Sequence, residues 1–126
     1  MKLVYFSLTG QTRRFINKLD LATYEIDTTN PFYEMDEDYL LIVPTYDQEV
    51  TEVVNDFIEF KDNANYLKGV AGGGNLNFGD LFIFTAKDIS RDYDVPLVFS
   101  FEFSGTDEDV KNFKKVVNDF ESKRID

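Results

Sequence analysis

Short apolar runs alternate with amphipathic segments along this chain. Runs rich in Val, Ile, Leu and Phe are typical of strands buried on both faces, whereas apolar residues spaced three and four apart predict helices. The pattern predicts strands over Lys2–Ser7, Thr23–Asp27, Asp38–Thr45, Tyr66–Ala71 and Pro96–Phe103. It predicts helices over Thr12–Asp20, around Val50–Ile58, over Asp80–Tyr93 and from Thr106 onward.

This alternation of strands and helices predicts an α/β protein with a parallel sheet and helices on both faces. The last helix has a clear start, because Thr106 and Asp109 have the spacing of a capping box. In sheets of this kind, ligands bind beyond the carboxyl ends of the strands, where the strand order reverses. The loops after the first, third and fourth strands are therefore the candidate ligand-binding segments.

The composition excludes several chemistries. The chain has no Cys, His or Trp, which excludes thiol redox chemistry, disulfides, thiolate metal sites and acid–base catalysis by His. We predict no metal site and no catalytic side chain, so any redox chemistry needs a cofactor. The formal net charge of -11 argues against nucleic acid and favours a basic protein partner, although solubility alone explains an acidic surface equally well.

The length of 126 residues predicts a single domain over 1–126. No apolar run is long enough to cross a membrane. The first apolar run starts at residue 2, which leaves no space for a signal peptide, so we expect a cytoplasmic protein.

The loop after the first strand combines hydroxyl groups with a glycine. Ser7, Thr9 and Thr12 offer three hydroxyls, and Gly10 lets the backbone turn with its N–H groups inward. The positive end of the next helix favours an anion, so a phosphate monoester fits here without any Lys or Arg. The alternative is purely structural, because Ser and Thr are common helix caps and glycine is common in turns.

Two more loops offer groups for a planar ligand. Tyr46, after the third strand, has a ring available for stacking, although an aromatic residue at a strand end often serves only packing. The segment Gly69–Gly79 is predicted as a glycine-rich loop whose backbone passes close to a flat ligand. Its alternative is a flexible surface loop. A phosphate site, aromatic rings and glycine-rich backbone together indicate a flavin mononucleotide (FMN).

Four motifs resemble the NrdI family, small flavodoxin-like proteins that serve class Ib ribonucleotide reductase. They are Tyr5-Phe6-Ser7-x-Thr9-Gly10, Pro44-Thr45-Tyr46, Gly72-x-Gly74-Asn75-x-Asn77-Phe78-Gly79 and Phe101-Glu102-Phe103-x-Gly105-Thr106. The resemblance covers essentially the whole chain, and its most specific element is Asn-x-Asn-Phe-Gly. The phosphate loop also resembles that of flavodoxins, with Gln11 where those proteins usually have Asn.

The resemblance implies a flavodoxin-like three-layer sandwich that binds FMN, with a five-stranded parallel sheet in the order 2-1-3-4-5. It implies that reduced flavin reacts with dioxygen and that the resulting superoxide oxidises the dimanganese centre of the reductase's small subunit, giving its tyrosyl radical. The expected partners are that small subunit, an electron-donor reductase and dioxygen. The metal and the radical then belong to the partner.

The resemblance also implies which residues bind the cofactor. The phosphate would be held by Ser7, Thr9, Gly10, Gln11 and Thr12. The isoalloxazine ring would be flanked by Thr45 and Tyr46. Its other side, or the partner, would be met by Gly72, Gly73, Asn75, Asn77, Phe78 and Gly79.

The sequence departs from the family pattern in two places. Gly73 stands where the family often has Ser, and Asp47-Gln48-Glu49 stands where many relatives have a glycine. Negative charge on Asp47 and Glu49 is expected to disfavour the addition of a second electron if both lie near the ring.

Two alternative functions share this architecture. An ordinary electron-transfer flavodoxin is the nearer one, and the short loops and the Asn-x-Asn-Phe-Gly element argue against it. A phosphoacceptor receiver domain needs acidic residues at the ends of its first and third strands. Those strands end here in Phe6-Ser7 and Pro44-Thr45, which disfavours that function.

Overall fold

Five parallel strands form one sheet in the order β2-β1-β3-β4-β5. The structure is a computed structural model and describes residues 1–45 and 48–125. The strands are β1 (Lys2–Tyr5), β2 (Thr23–Glu25), β3 (Tyr39–Val43), β4 (Leu67–Gly74) and β5 (Leu97–Glu102). The predicted α/β class, parallel sheet and strand order are confirmed.

The helices connect these strands. They are α1 (Gln11–Asn17), α2 (Gln48–Ile58), α3 (Asn63–Tyr66), α4 (Phe84–Asp92) and α5 (Asp107–Ile125), with a 3₁₀ helix at Leu76–Leu81. Within the described ranges, no helix combines the length and the apolar character that a membrane crossing requires. The short helix α3 and the 3₁₀ helix were not predicted from the apolar pattern.

The sheet separates two apolar cores because side chains alternate between its faces. On one face, α1 and α5 contribute Phe15, Phe113 and Val117 to a core with Leu40 and Ile42 of β3. On the other face, α2 and α4 pack against the alternate positions of the same strand. That second core includes Leu41, Val43, Phe57, Ala86 and Ile89. The result is a three-layer sandwich.

The predicted capping box starts α5. The backbone N–H of Thr106 donates to Asp109 Oδ2 at 2.9 Å, and the backbone N–H of Asp109 donates to Thr106 Oγ1 at 3.0 Å. This reciprocal pair satisfies two N–H groups at the helix start. It fixes the turn that follows β5, which borders the site described below.

Two predicted boundaries are wrong. The fourth strand does not end at Ala71 but continues through Gly74, so Gly72–Gly74 is strand and not loop. The predicted helix over Asp80–Tyr93 is interrupted at Ile83, which has a left-handed φ of 52°, and α4 begins only at Phe84. The helix is interrupted because the chain turns sharply between the 3₁₀ helix and α4.

Candidate functional site

Segments following β1 and β3 meet the end of β4 at the carboxyl edge of the sheet. The strand order reverses between β1 and β3, which is where sheets of this type bind ligands. A cleft of about 230 Å³ opens there. It is lined by Thr9, Gln11, Thr12, Pro44, Thr45, Gly73, Gly74, Asn75 and Phe103. The structure thus brings members of all three predicted loops into one cleft.

The β1–α1 turn is shaped by Gly10. This residue has a φ of 90° and sits at the N-cap position of α1, without a side-chain capping hydrogen bond. Its carbonyl oxygen accepts the backbone N–H of Arg14 at 3.0 Å. A left-handed φ strains most residues other than glycine. Thr12 is 2% exposed, whereas Thr9 is exposed. This turn therefore contributes one buried and one exposed hydroxyl residue to the cleft.

Ser7 has a different role from the other hydroxyl residues. Its Oγ accepts the backbone N–H of Arg13 at 3.3 Å, and it is not one of the described residues lining the cleft. Ser7 therefore braces the turn from within. Thr9, Gln11 and Thr12 are the residues of this loop that line the cleft.

An arginine, Arg13, lies beside this loop, where the sequence predicts that a phosphate monoester fits without any Lys or Arg. Arg13 Nε donates to Glu25 Oε1 at 2.7 Å, and Nη2 donates to Glu25 Oε2 at 2.8 Å. The remaining Nη1 atom lies 3.9 Å from the point where a Cβ on Gly10 would stand. Arg13 therefore folds back toward Gly10 and is held there by Glu25 of β2. That phosphate binds this loop without a cation stays a prediction.

The ion pair changes the acidity of its members. Its hydrogen bonds from Arg13 lower the pKa of Glu25 and outweigh the effect of partial burial. They raise the pKa of Arg13 still further above its ordinary value. Burial, followed by interaction with Glu25, raises the pKa of Tyr5 to about 12. At neutral pH, Glu25 and Arg13 are therefore both charged and Tyr5 is neutral.

The segment after β3 enters the cleft through Pro44 and Thr45. Thr45 Oγ1 donates to the carbonyl oxygen of Gly73 at 2.8 Å, which ties this segment to the end of β4. The predicted ring contact Tyr46 and the acidic residue Asp47 lie outside the described residues.

The glycines of β4 serve close packing. A Cβ on Gly72 would stand 2.7 Å from the Ala86 Cβ of α4, and a Cβ on Gly73 would stand 2.8 Å from the Phe101 ring. Both approaches are too short for real Cβ atoms, so larger residues would push neighbouring elements away. Gly73 lines the cleft, whereas Gly72 is packed beneath α4.

The Asn-rich segment starts the 3₁₀ helix. Asn75 lines the cleft and caps this helix, since its Oδ1 accepts the backbone N–H of Asn77 at 2.9 Å. Phe78 and Gly79 follow within the helix, and Gly79 bends it with a φ of 59°. Asn77 and Gly79 are exposed and stand apart from the described lining of the cleft. The structure therefore brings Asn75 of this segment into the cleft, but not Asn77 or Gly79.

A model of the NrdI flavodoxin-like family matches residues 3–115 of this chain. The match spans every described residue that lines the cleft and the whole sheet except Lys2. The chain belongs to this family. The resemblance drawn from the four motifs is thus confirmed.

A solved structure supports the same fold. A short-chain flavodoxin associated with a PDU bacterial microcompartment superposes with a TM-score of 0.63 at 18% sequence identity. The alignment covers 93% of this chain and 93% of that one. At this identity the likeness shows the flavodoxin-like fold alone.

The cleft of this NrdI-family protein has the donor set that a flavin requires. Flavodoxin-like proteins bind a flavin, whose phosphate needs donors and whose ring needs apolar surface and polar edges. Thr9, Gln11 and Thr12 supply hydroxyl and amide groups, while Thr45 and Asn75 supply polar groups near the end of β4. The described residues therefore fit the group.

Phe103 was not predicted as a site residue, although it lies within the fourth family motif. It lines the cleft, is 52% exposed and has a left-handed φ of 52°. Its backbone N–H donates to the carbonyl oxygen of Gly74 at 3.1 Å. An exposed aromatic residue in a strained conformation is a frequent sign of a functional contact. The sequence signal was a Phe directly after the fifth strand.

Proposed function

We propose that this protein binds FMN and activates a class Ib ribonucleotide reductase, with residues 1–126 acting as a single FMN-binding domain. The observation that carries the proposal is the shared cleft, in which hydroxyls after β1 meet polar groups after β3 and β4 and an exposed aromatic ring. Membership of the NrdI family supports the choice of function.

Different residues bind the phosphate and the ring of the proposed cofactor. Thr9, Gln11 and Thr12 donate hydrogen bonds to the phosphate, and Gly10 keeps the backbone of their turn open to it. Ser7 orients that turn through its hydrogen bond with Arg13.

The ring end of the cleft has a different composition. Phe103 offers its ring face to the isoalloxazine, since aromatic rings prefer offset stacking. Thr45 and Asn75 approach the polar edge of the ring, together with Gly73. Tyr46, Asn77, Phe78 and Gly79 complete the proposed set, as ring neighbours or as contacts to the partner.

When bound, the reduced flavin supplies electrons to dioxygen, and the resulting superoxide oxidises the dimanganese centre of the reductase's small subunit. This protein receives its own electrons from a donor reductase, and we place it in the cytoplasm. Leu76 is 59% exposed beside the cleft and joins Phe103 as apolar surface. Exposed apolar groups rimmed by polar residues are typical of protein contacts, so this surface suits a docked subunit.

The test combines the chemically reduced FMN-loaded protein, dioxygen and a dimanganese small subunit. We expect a tyrosyl radical in the electron paramagnetic resonance spectrum. Free reduced FMN at the same concentration is the matched control and should give far less radical. A full radical yield with free FMN, or none with the protein, would contradict the proposed activation.

A general electron-transfer flavodoxin is the second candidate. It shares the flavodoxin-like fold, which the superposition with the short-chain flavodoxin shows. Electron delivery from the reduced protein to a one-electron acceptor, such as a cytochrome, separates the two. Rapid delivery without radical formation favours the second candidate, whereas radical formation favours the first.

A further inference from the structure

An ion pair crosses the rim of the phosphate loop. The guanidinium of Arg13 and the carboxylate of Glu25 meet side by side through two hydrogen bonds of 2.7 and 2.8 Å. Paired charges of this geometry are the strongest type of ion pair available to a surface carboxylate. Arg13 and Glu25 come from different elements, α1 and β2, so the fold brings them together.

Arg13 lies close to the loop with both its backbone and its side chain. Its backbone N–H donates to Ser7 Oγ at 3.3 Å, while its Nη1 lies 3.9 Å from where a Cβ on Gly10 would be. The positive charge therefore lies beside Gly10, next to the described lining residues Thr9, Gln11 and Thr12 but not among them. Because Nε and Nη2 are used by Glu25, the group nearest Gly10 is the one outside the bidentate pair.

We infer that Arg13 supplies the positive charge that attracts the flavin phosphate and that Glu25 weakens this attraction by pairing with it. The inference rests on the proposed FMN function and adds a determinant of affinity to it. A phosphate dianion near Gly10 is attracted by Arg13 and repelled by Glu25. The two residues thus have opposite effects on FMN, although they form one structural unit.

Opposite effects distinguish this role from a structural one. If the pair only braced α1 against β2, losing either member would weaken FMN binding. If the charges act on phosphate, Glu25→Gln leaves Arg13 unpaired and strengthens binding, while Arg13→Gln leaves Glu25 unpaired and weakens it. Riboflavin has the same ring and no phosphate, so neither variant should change its affinity.

The experiment measures dissociation constants for FMN and riboflavin by flavin fluorescence at low and at high salt. For FMN at low salt, we expect Glu25→Gln to bind about threefold to tenfold more tightly and Arg13→Gln to bind more weakly by a similar factor. The difference between the variants should shrink at high salt, because salt screens charges at the surface. The double variant should lie between the single ones.

The matched control is Arg91→Gln. Arg91 also pairs with neighbouring carboxylates, Asp88 at 3.4 Å and Asp92 at 3.0 Å, but it lies near the end of α4. The Arg91→Gln variant loses the same charge as Arg13→Gln, but at a residue that is not in the described lining of the cleft. Its FMN affinity should therefore match that of the unmodified protein.

FMN affinities that move in the same direction in the Arg13→Gln and Glu25→Gln variants, or equal changes for riboflavin, would overturn the inference. Unchanged FMN affinity in both would do the same. Failure of the unmodified protein to bind FMN is a separate result, because it defeats the proposed function itself.

Discussion

Gly72 and Gly73 of β4 have surroundings opposite to those of Gly10 and Gly79, which lie outside the sheet. Gly72 and Gly73 lie in a strand, where a Cβ would stand 2.7 Å from Ala86 and 2.8 Å from Phe101. Gly10 and Gly79 have positive φ values of 90° and 59° and open surroundings, with no atom within 4 Å of a Cβ on Gly79. Gly72 and Gly73 are required by their neighbours, whereas Gly10 and Gly79 are required by their own backbone conformation.

This difference changes the meaning of the glycine-rich stretch. Its composition is typical of a backbone that passes close to a flat ligand, but two of its glycines let α4 and β5 pack tightly against β4. The part of the stretch that lines the cleft is Gly73, Gly74 and Asn75. A run of glycines can therefore support a site mainly by allowing the elements around it to pack closely.

The largest expected effect comes from filling the space beside Gly72. Gly72→Val places three carbon atoms against Ala86 and Ile83, so α4 must move. We expect the free energy of unfolding to fall by about 3 kcal/mol, the upper end for overpacking. Urea unfolding followed by circular dichroism measures it. Ser100→Val, at the exposed position paired with Gly72 on β5, is the control and should change little; equal losses would refute the packing role.

Phe103 has a left-handed conformation like Gly10 and Gly79, although it carries a side chain. Phe103→Gly should raise the free energy of unfolding by about 1 kcal/mol, since an L-residue is strained there. The same variant should bind FMN about tenfold more weakly, because it loses the ring face. Urea unfolding and a fluorescence titration measure the two changes. A variant with lower stability, or with unchanged FMN affinity, would show that Phe103 serves packing instead.

The smallest effect is expected at Gly10. Gly10→Ala should lower the free energy of unfolding by about 1 kcal/mol, because alanine is strained at a φ of 90°. No clash contributes, since the nearest atom to the new Cβ is 3.9 Å away. Gly10→Asn, which tolerates this conformation better, should cost less in the same unfolding measurement. Equal costs for both residues would argue against backbone strain as the cause.

The general architecture could be predicted from the sequence because apolar patterns report burial directly. The continuous run Tyr39–Val43 marks a central strand, and the spacing of Thr106 and Asp109 marks the start of α5. The family motifs then imply the strand order. Each of these features depends on residues close together in the chain.

Three features of the site could not be predicted because they depend on distant contacts. The strand character of Gly72 depends on its pairing with Val43 of β3 and Ser100 of β5. The position of Arg13 is set by Glu25 on β2. The orientation of Phe103 depends on a left-handed turn and a hydrogen bond to Gly74. A pattern of apolar and polar residues contains none of these distances.

The central claim is that the hydroxyls after β1 hold the phosphate of FMN in the described cleft. The most direct test titrates FMN into the purified protein and into a Thr9→Ala, Thr12→Val double variant, with flavin fluorescence as the signal. Valine keeps the volume of the buried Thr12 side chain while removing its hydroxyl. We predict saturable binding of one FMN per chain, and affinity about a hundredfold lower in the variant, as expected for two lost hydrogen bonds to a charged group. Absence of binding to the unmodified protein, or equal affinities for the two proteins, would contradict the claim.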